Sequence, residues 1–180
     1  MSSLTDGVTL SSGLLVARLV FGLLMVGHGT QKLFGWFGGY GLAGTGGFFE
    51  TLGFRPGRAF AAAASLTEIT GGLLLALGFL GPVGPALIIS VMIVAAISVH
   101  WQNGLFAASN GIELPLLYAA GAISLALTGP GHFSLDEVLG LTSLWTPGIV
   151  WAAIAIGVVG GVVNLGLRRV APQGATAQTQ

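Results

Sequence analysis

The side chains able to do chemistry are few, and most fall at the ends of apolar runs. His28, Gln31 and Lys32 close the first run, and Arg18 lies inside it. Glu68 lies inside the second run; His100, Trp101, Gln102 and Asn103 close the third, and Glu113 opens the fourth. Imidazoles and carboxylates gathered at helix ends leave three readings open. They can exchange protons and hydrogen bonds with a polar head such as that of a quinone. His28 and His100 can ligate a metal or haem. Or all are satisfied locally and serve only the fold. No H-x-x-H or H-E-x-x-H spacing is present, so a metal site rests on proximity alone and none is assigned. Gly38, Gly39, Gly41 and Gly44 lack the preceding strand and the G-K-[ST] of a phosphate loop. The chain has no cysteine, which excludes thiolate nucleophiles and iron–sulfur ligation within it. Redox work would therefore run through a bound cofactor, a quinone being the one such polar groups suit, or through a partner. The catalytic residues are unknown, with Glu68, His28 and His100 as candidates.

The elements that must position these groups are membrane helices. Charged residues make up 7% and hydrophobic ones 53% of the 180 residues, against about 25% charged in a soluble domain. So few charges cannot solvate a globule of this size. The 31 glycines fit, because small residues let membrane helices approach closely. A formal net charge of zero points away from nucleic acid.

Five apolar segments read as spanning helices, at about 12–29, 59–80, 85–100, 112–128 and 148–167. The third and fourth are near the short end of the spanning range. The first lacks a basic n-region and an A-x-A site, so it reads as a retained helix. Residues 1–11 form an N-terminal tail, 12–139 a membrane bundle, 140–170 an additional helix, and 171–180 a small, polar, disordered tail. Gly157 and Gly161 make a G-x-x-x-G packing face in the fifth segment. Between the first two segments, Thr30 to Gly57 is rich in glycine and aromatics, from Phe34 and Trp36 to Phe54. It reads as an interfacial cap with a short helix at 47–52.

Alternating spans bring His28, Gln31, Lys32, Glu50, His100, Trp101, Asn103 and Glu113 to one membrane face. Glu68 lies about 13 Å below it at the standard helical rise. Arg18 and Glu68 are the charges at hydrocarbon depth, where each needs a partner. A depth difference of about 7 Å predicts an Arg18–Glu68 pair, which would be structural if it only satisfies two buried charges. Lys32 is expected to snorkel to the surface, Trp101 to join the aromatic belt, and Glu113 to favour its helix N-terminus. Lys32, Arg55, Arg58, Arg168 and Arg169 share one side, which puts the N-terminus outside and the C-terminus in the cytoplasm.

The run from His28-Gly-Thr-Gln-Lys32 to Gly-Trp36-Phe-Gly-Gly39 resembles the signature closing the first helix of the DoxX family. Further stretches follow in order: Gly44-Thr45 with Phe48-Phe49-Glu50, Glu68 with Gly71-Gly72, His100-Trp101-Gln-Asn103-Gly104, Glu113-Leu-Pro115, and Leu127-Thr-Gly-Pro-Gly131 with Ser134-Leu-Asp136. The resemblance runs from about Leu14 to Leu139. It implies an all-α polytopic membrane bundle with a four-helix core, to which this chain adds a C-terminal transmembrane helix suited to packing on a partner or a second copy. It also implies a link to membrane redox work: a related archaeal subunit belongs to a thiosulfate:quinone oxidoreductase, and a mycobacterial relative is placed with superoxide- and thiol-handling partners. Relatives often carry a basic residue in the second turn, here Gly81-Pro82-Val83-Gly84, and that tendency opposes the orientation read from charge.

The expectation is a multi-pass protein of a bacterial or archaeal cell membrane, an accessory subunit of a quinone- or thiosulfate-linked redox system. Its partners would be the lipid bilayer and a redox protein or a second copy of itself. The alternative is a non-enzymatic scaffold or small-solute carrier.

Overall fold

The computed structural model describes residues 2–169, with side chains from residue 7 onward. The predicted polar tail at 171–180 lies outside the described residues. In chain order the helices are α1 (Ser2–Phe34), α2 (Gly41–Thr51), α3 (Gly57–Leu77), α4 (Val83–Ala95), α5 (Glu113–Thr128), α6 (Leu135–Val138) and α7 (Pro147–Gly166). No strand occurs among the described residues. α4 is prolonged by a π-helical turn at Ala96–His100 and a 3-10 turn at Trp101–Asn103.

Four stretches are long and apolar enough to cross a bilayer: Gly7–Phe34, Gly57–Leu77, Val83–Asn103 and Pro147–Gly166. α5 is apolar but has 16 residues, about 24 Å at the standard rise, against a hydrocarbon core of about 30 Å. Gly129, at φ 79°, and Pro130 stop it. Of the five segments expected to span, the fourth is thus the short one. α1 starts at Ser2 rather than near Ser12 and runs on to Phe34, since neither stretch contains a proline. The cap helix is also longer than expected, Gly41–Thr51 rather than 47–52.

The helices pack through small residues. A Cβ on Gly22 of α1 would lie 2.6 Å from Gly72 O of α3, and one on Gly29 would lie 2.7 Å from Ser65 O. Gly157 and Gly161 of α7 abut Ala86 and Ser90 of α4 in the same way, so the G-x-x-x-G face is used inside the chain. Through this face the fifth segment packs on α4. α4 touches α3, α5 and α7, and its Ile88, Ile89 and Met92 share a core with Met25, Leu75 and Ala122. Outward-facing Val20, Leu23, Leu24, Val159 and Val162 are exposed. Such an apolar exterior on helices with satisfied backbones is what lipid requires.

The C-terminal flank is tied to the basic end of the bundle. Arg168 Nε donates to Leu52 O at 3.0 Å, and Arg169 N donates to Gly53 O at 2.8 Å. The Arg168 guanidinium lies 5.6 Å over the Phe54 ring. The C-terminal flank thus returns to the turn between α2 and α3, so Lys32, Arg55, Arg58, Arg168 and Arg169 share one end.

Candidate functional site

The α1–α3 register decides which charges meet. With Gly22 against Gly72 and Gly29 against Ser65, Glu68 lies opposite residue 26 of α1 and Arg18 lies opposite residue 76. Arg18 is then about 12 Å from the level of Glu68, more than the 7 Å expected. The predicted Arg18–Glu68 pair does not form. Lys32 takes the place of Arg18. Its Nζ donates to Glu68 Oε1 at 2.8 Å and Oε2 at 2.7 Å, and its contact with His28 O is 3.4 Å. The Glu68 side chain is 4% exposed and that of Lys32 28%. The lysine therefore does not snorkel outward. It turns inward because a carboxylate buried at this depth costs far more than the rotamer freedom lost in reaching it.

His28 precedes Lys32 by one helical turn. Its ring meets Tyr118 of α5 edge-on, with centroids 5.8 Å apart and planes at 83°. Phe21 packs on the same tyrosine at 5.8 Å. Tyr118 is buried and within electrostatic reach of Glu68. Thr45 of α2 donates to Lys32 O at 3.3 Å, and Gln31 donates to Phe37 O at 3.2 Å. These two bonds close the cap over the end of α1. An amine, a carboxylate, an imidazole and a phenol from three helices therefore share one end of the bundle.

A family model described as DoxX matches residues 13–101. The chain belongs to the DoxX family. No curated protein and no solved structure matches it. The DoxX match takes in Lys32, Glu68, His28 and His100, whereas Tyr118 and all of α5 and α7 lie beyond it. With its apolar helices the DoxX chain is a multi-pass membrane protein.

The other predicted site residues organise a neighbouring loop. His100 Nδ1 shares a hydrogen bond with Asn110 O at 2.7 Å, which Asn103 Nδ2 also approaches at 3.3 Å. Glu113 Oε2 accepts from Ala107 N at 2.7 Å. Trp101 is 66% exposed, at the level of a headgroup belt. Glu50 accepts from Gly57 N at 3.1 Å, at the first residue of α3. These contacts fold the 104–112 and 53–57 turns. Among the described residues no three His, Asp or Glu side chains come together.

Arg18 belongs to the opposite end. Its Nη2 donates to Phe133 O. Nearby, Asp136 is fully buried, and its carboxylate accepts from Leu80 N at 2.9 Å, Gly81 N at 2.6 Å and Trp145 Nε1 at 2.8 Å. Ser134 caps α6 by accepting from Glu137 N at 3.2 Å. Sequence reasoning gave no site role to Tyr118, Asp136 or Trp145. The Ser134-x-x-Glu137 capping pattern is the signal that a short helix follows α5, with Asp136 in its first turn.

Proposed function

We propose that this DoxX protein is an accessory subunit of a membrane redox system, working at the basic end of the bundle. The observation that carries this reading is the Lys32–Glu68 pair beside His28 and Tyr118. Four groups that hold or pass protons converge there, in a chain without cysteine or cofactor motif. Their donor chemistry fits a quinone head, whose carbonyl oxygens accept from N–H and O–H groups. A quinone would supply the electron-carrying chemistry. Lys32 and His28 would bind and orient its head, and Glu68 would fix the position of Lys32. The positive-inside rule places this end in the cytoplasm of a bacterial or archaeal cell.

The test is to purify the protein in mild detergent and identify what accompanies it. Retained quinone or a redox subunit, lost on His28→Ala or Glu68→Gln, is the expected result. Unchanged recovery in both variants contradicts the reading.

A second reading is a non-enzymatic scaffold or small-solute carrier. The closed geometry of the pair favours it, because both Glu68 oxygens are already taken by Lys32. Under that reading Glu68→Gln lowers stability, and solute uptake into proteoliposomes, not quinone or partner recovery, reports the function.

A further inference from the structure

Arg18 is 2% exposed, yet its Nε and Nη1 have no hydrogen-bond partner among the described residues. Asp136 lies within electrostatic reach of Arg18, but its carboxylate accepts from Leu80 N, Gly81 N and Trp145 Nε1 and makes no hydrogen bond to Arg18 Nε or Nη1. Room for the guanidinium comes from Gly78, where a Cβ would overlap Nη1. A buried cation with idle donors is costly unless something accepts from it. The guanidinium lines a partly open cavity of about 240 Å³ between α3, α5 and the start of α7. Much of the rest of its wall is apolar, including Leu74, Pro85, Leu125 and Trp145. Thr128, Leu127 and Trp151 line it too and are exposed, the latter two 48% and 58%. They stand at the α5 and α7 ends, the level at which lipid headgroups lie.

We propose that this cavity binds an oxyanion-headed amphiphile. Its carboxylate or phosphate oxygens would accept from Arg18 Nε and Nη1, and its chain would lie along the apolar wall. Charge selects an anion over a neutral carbonyl, because a guanidinium binds an oxyanion through charge-assisted bonds. The volume, near the small end of ligand pockets, suits a head and a few methylenes. The site lies about 21 Å along α1 from Lys32, so it stands or falls independently of the redox reading.

The test uses the full chain carrying Trp36→Phe and Trp101→Phe, which leaves Trp145 and Trp151 as fluorescent reporters at the cavity. The delipidated protein is titrated with octanoate, with octanol, with inorganic phosphate, and with phosphatidylglycerol or phosphatidylcholine vesicles. A saturable response to octanoate at least tenfold tighter than to octanol is expected. A matching response to phosphatidylglycerol alone among the vesicles assigns the ligand to the bilayer; its absence assigns a free acid. Arg18→Met abolishes the response and Thr128→Asp weakens it about tenfold, while Arg18→Lys retains part of it. Melting temperature and helical signal show that each variant is folded. Equal affinity for octanol and octanoate, equal affinity for phosphate and octanoate, or unchanged binding by folded Arg18→Met overturns the proposal.

Discussion

Lys32 Nζ lies 2.8 and 2.7 Å from the two carboxylate oxygens of Glu68, an ion pair between α1 and α3 at the end where the cap closes. It holds the central charge of the candidate site in place, and His28 and Tyr118 are arranged around it. Removing one partner leaves a buried charge uncompensated. Lys32→Met should therefore destabilise the protein by about 3–5 kcal/mol, while Lys32→Met with Glu68→Leu should recover most of that. Thermal unfolding in detergent for the single and double variants gives the coupling. Additive losses would show that the pair is not coupled.

The α1–α3 contact is a matter of glycine size. Gly22→Leu, with a Cβ aimed at Gly72 O and Ala76, should cost more than about 3 kcal/mol or abolish folding. Gly27, where a Cβ would meet nothing within 4 Å, should accept alanine with a change below about 1 kcal/mol. Melting temperatures and expression of the two variants check this directly. Equal effects would mean that the helices are not in close contact at Gly22.

At the other end, Asp136→Ala should leave Leu80 N, Gly81 N and Trp145 Nε1 without their acceptor. A loss of about 3 kcal/mol or more is expected, because each donor bonds a buried carboxylate. Quenching of Trp145 by iodide should rise in the same variant. Stability within about 0.5 kcal/mol of the parent would show that the α5–α7 connection is not held by this carboxylate.

Composition alone made the bundle legible, since 7% charged residues leave no soluble option. Alternation of spans also put His28 and Lys32 at one end, with Glu68 about 13 Å below that face. The pairing was not legible. It depends on register, and register is set by Gly22 against Gly72 and Gly29 against Ser65. In a chain with 31 glycines, nothing in the sequence distinguishes those four residues as contacts. A shift of about one helical turn moved Glu68 from the reach of Arg18 to that of Lys32. Tyr118 was hidden for a related reason: which face of α5 meets His28 follows from three-helix packing. Asp136 sits in an aperiodic connection, where helix periodicity carries no information about what a side chain meets.

The central claim is that the Lys32–Glu68–His28 end serves a membrane redox system. The most direct measurement is mass spectrometry and absorbance on protein purified in mild detergent, alongside folded His28→Ala and Glu68→Gln variants. Quinone or a redox subunit is expected with the parent protein, reduced at least tenfold in both variants. A solitary, quinone-free parent protein, or equal retention by all three, would contradict it.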